Sequence, residues 1–301
     1  MPAFELGIVM PLMQFGLDRR SARWTEIRAM ALRAEAIGFD TIWTPDELLW
    51  RTKDAAPQGV WDGVSMAGAV AAVTSTAKVG TWVLSALHRN PGIIAKTAET
   101  LDEISGGRFV FGLGAGHEWP GQARAFGLPE DRIFARFDEA LEIIVPLIRR
   151  GHADFEGTFH AARDLPQAPR GPRPGGIPLL VGGNGPKGQR FAVRHADVWS
   201  GYVEERAEVE EVAPRIASLE AICAEEGRDP ASIGRSIGVL VNPFMPAGER
   251  PNVLSGTPEE IARRLSAFRD AGYTQAELMF GPGTLEALEA LAPVVGLVGA
   301  D

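Results

Sequence analysis

Proton-active side chains stand directly after an apolar, glycine-rich run in this 301-residue sequence. The run RFVFGLGAG at 108–116 ends in Gly114 and Gly116 and is followed by His117 and Glu118. Histidine and carboxylates are common general acids and bases, and glycines let a flat ligand approach the backbone closely. We therefore predict that Gly114 and Gly116, with the preceding Gly112, let a flat ligand press against the backbone beside two proton-transfer groups. Glycines that only relieve crowding and a surface histidine are the alternative interpretation.

A second acidic pair, Asp46 and Glu47, ends the run FDTIWTPDE at 39–47. Adjacent residues on an extended strand point to opposite faces, so only one of these side chains can enter a pocket without a local twist. The pair is a candidate for the same pocket, and a solvated loop pair is the alternative.

A glycine loop, GGNGPKG at 182–188, follows a predicted strand and begins a predicted helix. Its spacing Gly183-x-Gly185-x-x-Gly188 matches the dinucleotide fingerprint, and Glu205 lies where an acidic ribose ligand would stand. The loop comes after four completed strand–helix units, however, which leaves too few strands for a Rossmann domain. We therefore predict an anion site at the helix amides, with charge from Lys187. A tight turn that needs glycine is the alternative.

Composition argues against several classes of protein. The net charge of −9 is unfavourable for nucleic-acid binding, and no apolar run approaches the length of a membrane span. The sequence lacks a Gly-x-Ser-x-Gly motif and a histidine pattern typical of metallohydrolases, so we expect no metal site. The single cysteine, Cys223, lies on an apolar helical stripe, and no signal peptide is evident, so a cytoplasmic protein is expected.

The elements that must position these residues alternate between strands and helices. Val79 to Glu118 predicts a strand–helix–strand unit in which Asn90 caps the helix and Pro91 takes its first position. Eight such strands and eight helices are predicted along residues 1–301, which indicates a single (β/α)8 TIM-barrel domain. An open doubly wound sheet is the alternative. Insertions are predicted after the fourth helix, where a hairpin and a Pro/Gly-rich loop occupy 152–176, and after the seventh strand.

Several motifs together resemble the luciferase-like monooxygenases and their deazaflavin-dependent oxidoreductase relatives. GTWVLSALHRNPGIIAKTAETLDEISGGRFVFGLGAGHE carries most of the likeness, and IPLLVGGNGPKGQRFAVRHADVWSGY and TPEEIARRLSAFRDAGYTQAELMF follow in the expected order. The resemblance covers nearly the whole chain. It implies a TIM barrel that binds coenzyme F420, or alternatively FMN, at the carboxyl ends of its strands.

The resemblance also implies roles for individual residues. Trp82 and Val83 stand where deazaflavin members have a non-prolyl cis peptide behind the ring. Gly182, Gly183 and Asn184, with the adjoining Gly185, match the loop that receives the cofactor phosphate.

Asp46 matches the acidic residue near the ring in that family, but the position after it departs from the pattern. Deazaflavin enzymes commonly have histidine there, whereas this chain has Glu47. The departure puts membership of the sugar-phosphate or alcohol dehydrogenase branch in doubt. Glu47, His117 and Glu118 are therefore the predicted catalytic residues, and proton transfer directly to solvent is the alternative.

Taken together, the sequence predicts an oxidoreductase that transfers a hydride between coenzyme F420 and a small organic substrate. An FMN-dependent monooxygenase is the alternative within the class, and a non-catalytic cofactor-binding barrel or a nicotinamide dehydrogenase lies outside it. No nucleic-acid or membrane partner is expected, and a homodimer is the expectation for assembly only because dimers are the commonest closed-symmetry oligomers.

Overall fold

Eight parallel strands close into a barrel in the computed structural model, which describes residues 4–14, 20–50, 56–116, 122–173 and 175–299. The strands are β1 (Glu5–Val9), β2 (Thr41–Thr44), β3 (Lys78–Thr81), β4 (Phe109–Gly114), β5 (Leu179–Gly182), β6 (Val198–Tyr202), β7 (Gly234–Asn242) and β8 (Gln275–Phe280). The barrel closes because β5 pairs with both β6 and β4. The predicted TIM barrel is confirmed, and the open doubly wound sheet and the Rossmann domain are excluded.

Helices surround the barrel and connect its strands. They are α1 (Trp24–Ile37), α2 (Gly63–Val73), α3 (Pro91–Ser105), α4 (Ile133–Arg150), α5 (Pro186–His195), α6 (Val209–Glu225), α7 (Pro258–Asp270) and a two-part α8 (Leu285–Ala290 and Ala292–Gly299). A short helix at Gln122–Ala125 and a 3-10 turn at Pro230–Ser232 complete the set. Within the described ranges, no helix has the length and apolar character needed to cross a membrane.

Local sequence signals explain where the helices begin and end. The Asn90 side chain accepts a hydrogen bond from the Gly92 N–H at 2.9 Å, as predicted for the cap of α3. The last helix was predicted as one element but divides near Leu291, because Pro293 has no N–H to continue the hydrogen-bond pattern of the first part.

Among the described residues, further strand pairings lie outside the regular barrel. After α4, His152–Glu156 and Ala161–Pro166 form the predicted antiparallel hairpin, and after β7 the strand Val253–Ser255 runs parallel to the end of β7. After β2, Leu49–Trp50 pairs antiparallel with Gln58–Gly59.

The barrel interior is filled by a few large side chains that lie over glycines. Strand register places Gly7, Trp43 and Gly80 on the inward face of neighbouring strands. The Trp43 ring occupies the space that a Cβ on either glycine would need, and only 1% of Trp43 is exposed. The lower barrel is therefore a packed core and leaves ligand binding to the carboxyl ends of the strands.

Candidate active site

Trp82 and Val83 form the floor of the barrel mouth. β3 ends at Thr81, and the chain pairs with β4 again only at Leu84–Ser85, so Trp82 and Val83 bulge out of the ladder. The peptide bond between them is cis, the geometry that the family resemblance implied at this position. Both side chains are half-buried, so each keeps some surface towards solvent.

Glycines on β4 and β5 make room for Val83. A Cβ on Gly114 would lie 2.8 Å from Val83 Cγ2, and one on Gly182 would lie 3.2 Å from Val83 Cγ1. The structure thus brings these two predicted cofactor-binding glycines together with Val83 at the mouth. Their small size is required by protein packing, whether or not a ligand also needs it.

The Trp82 indole extends from β3 across the barrel. Its Nε1–H donates to Ser200 Oγ on β6 at 3.0 Å, and a Cβ on Gly238 of β7 would overlap its six-membered ring. A planar surface therefore lies under the centre of the mouth, held at its far end by a hydrogen bond.

Gly116 joins the loops that follow β3 and β4. Its φ of +98° is unfavourable for other residues, and a Cβ there would lie 2.6 Å from Leu87 Cδ1 and 2.8 Å from Ser85 Oγ. His117 and Glu118, which were predicted to be catalytic, lie outside the described residues.

Asp46 is enclosed in a network of donors. Its carboxylate accepts both Arg89 Nη atoms, at 2.7 and 2.9 Å, and the Ser85 N–H at 2.9 Å. Burial alone would raise the pKa of Asp46, but the adjacent His88 ring and the hydrogen-bonded, charged Arg89 outweigh it and hold the pKa below its usual value. Asp46 therefore stays ionised and fastens the loop after β3 to the end of β2. The adjoining Glu47 is half-buried, so of this pair Glu47 is the side chain that solvent reaches.

Gln122 and His88 extend this network to the chain after β4. Gln122 Oε1 accepts the Leu48 and Leu49 N–H groups at 3.0 and 2.9 Å, which turns its Nε2 towards His88 Nε2 at 3.5 Å. His88 Nε2 is then an acceptor, so in a neutral ring the hydrogen lies on Nδ1, 3.3 Å from Asp46 Oδ2. The network ties three loops together at the mouth.

The amino end of α5 presents backbone N–H groups at the mouth. Gly185 is the N-cap and provides no side-chain cap, and Pro186 occupies the first position. Asn184 does not cap the helix, because its side chain pairs with the Tyr202 backbone, accepting at 2.8 Å and donating at 3.0 Å. The amides of this turn and the helix dipole favour an anion.

Charge from Lys187 does not reinforce this site as we predicted. The Lys187 ammonium lies over the Phe134 ring, 5.3 Å from its centre. The ammonium is thus placed by a cation–π contact on the outer side of the barrel rather than by an anion.

The loop glycines serve two different purposes. A Cβ on Gly183 would lie 3.0 Å from the Gly188 Cα, so these two positions let α5 pack on the end of β5. A Cβ on Gly185, by contrast, would meet nothing within 4 Å. Gly185 is therefore open to a ligand, whereas Gly183 and Gly188 are explained by packing. Glu205, the ribose ligand of the dinucleotide interpretation, is exposed.

Sequence reasoning overlooked several polar residues of the mouth and the interior. They are His88, Arg89, Gln122, Ser200, Ser236 and Glu277. One signal was present in the sequence, since a glutamate inside the apolar run AELMF is unusual for a strand that is buried on both faces. Among the described residues, no group of three or more histidine, cysteine or acidic side chains is arranged to hold a metal ion.

Comparison with known proteins adds independent information. The family model described as luciferase-like monooxygenase matches residues 4–243. An F420-dependent glucose-6-phosphate dehydrogenase of Beutenbergia cavernae is 34% identical over 180 residues, which cover 57% of this chain and 51% of the relative. A 5,10-methylenetetrahydromethanopterin reductase of Archaeoglobus fulgidus is 30% identical over 186 residues, or 62% of this chain and 52% of that protein.

The matched region thus spans about half the length of these curated relatives. Among solved structures, an F420-dependent secondary alcohol dehydrogenase in complex with an F420-acetone adduct superposes with a TM-score of 0.82 at 18% identity. That superposition covers 98% of this chain and 99% of the other.

Proposed function

The chain belongs to the luciferase-like monooxygenase family, and from that membership we propose that it is an oxidoreductase that transfers a hydride between coenzyme F420 and a small organic substrate. Curated relatives named F420-dependent glucose-6-phosphate dehydrogenase support the choice of cofactor. The substrate stays open, because relatives of similar identity carry names with chemically different substrates, a sugar phosphate and a pterin.

One observation carries the proposal, namely that a planar floor and an uncapped helix end share the same mouth. Trp82 and Val83 provide an apolar surface suited to one face of a ring, and the turn at Gly185 offers amides to a phosphate. Gly182 contacts Val83 and is followed within three residues by Gly185, so the two features are adjacent. This combination fits a cofactor that carries a ring and a phosphate tail. F420, when bound, supplies the hydride-accepting and hydride-donating chemistry of its ring.

The protein's own part is to bind, orient and move a proton. The ionised Asp46 and Arg89 hold the loops of the mouth together and are engaged with one another. Proton transfer is assigned to the half-buried Glu47, or to His117 or Glu118 after β4, because these proton-active residues follow the ends of β2 and β4 in the sequence. A correctly placed acid or base contributes about 10²–10⁴ to the rate.

An FMN-dependent monooxygenase is the second candidate, and the name of the matching family model favours it. The floor and the amide site suit FMN as well as F420, since both combine a planar ring with a phosphate. Oxygen consumption during turnover distinguishes the two, because an FMN monooxygenase uses molecular oxygen and an F420-dependent hydride transfer does not.

Titration of the purified protein with F420, FMN and NADPH tests the proposal. We expect F420 to bind at micromolar concentration or below and a substrate panel to show F420 reduction or oxidation. Tight NADPH binding without affinity for F420 or FMN would overturn the assignment. Binding without turnover on a broad panel would instead favour a non-catalytic cofactor-binding barrel.

Location and assembly complete the proposal. Cys223 is fully buried, which suits a reducing cytoplasm, and a homodimer is the expected assembly, as for most closed-symmetry oligomers. Measurement of the native mass by light scattering tests the dimer, and a monomeric mass would contradict it.

A further inference from the structure

A hydrogen-bonded chain of four side chains crosses the barrel beneath the mouth. Trp82 Nε1–H donates to Ser200 Oγ at 3.0 Å, Ser200 Oγ lies 3.0 Å from Ser236 Oγ, and Ser236 Oγ–H donates to Glu277 Oε2. The chain passes from β3 to β6, β7 and β8. It therefore connects the floor of the mouth to a carboxyl group in the barrel interior.

Glu277 is a buried acid that the proposed hydride transfer does not use. The residue has no exposed surface, and Gln275 Nε2 donates to its Oε1 at 2.7 Å. Strand register places it between Gly7 on β1 and Gly238 on β7. Burial raises the pKa of Glu277 to about 7, despite the hydrogen bonds from Ser236 and Gln275. The Glu277 carboxyl group therefore titrates near neutral pH.

Few charged groups face Glu277 from the surrounding strands. Among the described inward-facing residues, the charged ones are Glu5 on β1 and Lys78 on β3, which form an ion pair at 2.6 Å at the lower rim. The other inward-facing neighbours are uncharged: Thr41 and Trp43 on β2, Ser236, Gly238 and Leu240 on β7, and Gln275 and Met279 on β8. The Glu5 charge opposes ionisation of Glu277, and Lys78 neutralises part of that effect.

The state of Glu277 decides the direction of the hydroxyl groups. When the carboxylate is ionised, it accepts from Ser236, Ser236 accepts from Ser200, and Ser200 accepts from the indole N–H, so each hydrogen has an acceptor. A proton on Oε2 must donate to Ser236, which then donates to Ser200. Trp82 can only donate, so the Ser200 hydrogen loses its acceptor and must turn elsewhere beside the indole.

We propose that Glu277 is a positioning residue of the ring site. Through the Ser236 and Ser200 hydroxyls, it determines how the Trp82 indole is held beneath the bound ring. The inference rests on the proposed function for the identity of that ring. The chain of hydrogen bonds itself lies wholly within the protein, so it is testable without a cofactor.

The first experiment uses the protein without cofactor. The fluorescence of Trp82, taken as the difference between the native protein and Trp82→Phe, is followed from about pH 5.5 to 8.5 across the range where Glu277 titrates. We expect a transition near neutrality that is lost in Glu277→Gln, since the amide mimics the protonated acid. We expect Ser200→Ala to lose it as well while keeping the infrared carbonyl band of protonated Glu277. A response of Trp82 that survives in either variant overturns the proposal.

The second experiment adds F420. The dissociation constant of the native protein is expected to change several-fold across the same pH range and to be flat in Glu277→Gln and Ser200→Ala. An equal pH dependence in all three proteins would overturn the role of Glu277 at the ring site. If the native protein binds neither F420 nor FMN, the proposed function fails, whereas the fluorescence result still decides whether Glu277 controls the indole.

Discussion

The indole of Trp82, which follows β3 directly, lies against the backbone of Gly238 on β7, on the opposite side of the barrel. A Cβ at position 238 would overlap ring atoms Cζ2 and Cη2 of the indole. The orientation of the floor therefore depends on a residue that never needs to touch a ligand. This relationship connects ring binding to barrel packing.

Gly238→Ala should displace the indole and destabilise the protein by about 1–3 kcal/mol, the usual cost of overpacking a core. Urea denaturation measures the loss. The smaller ring of Trp82→Phe should recover part of it in the double variant, with a coupling energy of about 0.5 kcal/mol or more. Gly296→Ala is the matched control, because position 296 is an exposed helix site where a Cβ meets nothing within 4 Å. Additive effects at 82 and 238 would contradict the contact.

Asp46→Asn should destabilise the protein by about 1.5–3 kcal/mol, the range for hydrogen bonds to a charged group, because it removes the buried one of the two carboxylates that pair with Arg89 and leaves only Asp62. The folded-state pKa of Asp46 is depressed, so its stabilising contribution is present at neutral pH and is lost only as the pH falls through that value. The two proteins should therefore differ in unfolding free energy at neutral pH and converge in acid. A constant difference down to acidic pH would contradict the ion pair. Arg163→Lys, at an exposed pair with Glu156, serves as a surface control.

Most of the barrel could be predicted because its signals are local. Caps such as Asn90 and Thr257 and alternating apolar runs determine helices and strands one at a time. The Asp46–Arg89 pair could not be predicted in this way, since it joins positions 43 residues apart that are brought together by the pairing of β2 with β3. The same holds for Ser200 and Glu277, whose inward direction depends on strand register. Lys187 was assigned to the wrong neighbour because its partner, Phe134, comes from another helix.

Replacement of Gly185 should separate ligand binding from folding. Gly185→Leu adds a side chain into open space, so we expect the unfolding free energy to fall by no more than about 1 kcal/mol, the usual range for an N-cap change. The same side chain should obstruct the amides at the start of α5 and weaken FMN binding at least tenfold, while riboflavin, which lacks the phosphate, binds as before. Gly183→Leu is the contrasting variant and should lose stability, because Gly188 packs against it. Equal losses for FMN and riboflavin would locate the phosphate elsewhere.

Glu277 should make the unfolding free energy depend on pH in an unusual direction. Its pKa is about 7 in the folded state and near the ordinary glutamate value of 4.5 when unfolded, so between those values the native state holds the extra proton. The contribution of Glu277 to the unfolding free energy is therefore largest below pH 4.5 and falls as the pH rises to about 7. The total loss is about 3 kcal/mol. Denaturation measures the unfolding free energies of the native protein and of Glu277→Gln across this pH range. The difference between the two free energies should narrow or reverse by that amount. A pH-independent difference would mean that Glu277 does not titrate there.

Glu47→Gln tests the residue that stands in place of the family's histidine. If Glu47 transfers the proton, the turnover number should fall about 10²–10⁴-fold in Glu47→Gln. The affinity for F420 should be unchanged, because the amide has nearly the same size and shape as the carboxyl group. Steady-state kinetics with a turned-over substrate, together with F420 titration, measures both quantities. Glu205→Gln is the matched control at an exposed carboxylate, and it should leave both unchanged. Full activity in Glu47→Gln, with loss in His117→Asn or Glu118→Gln, would move the proton-transfer role to the chain that follows β4.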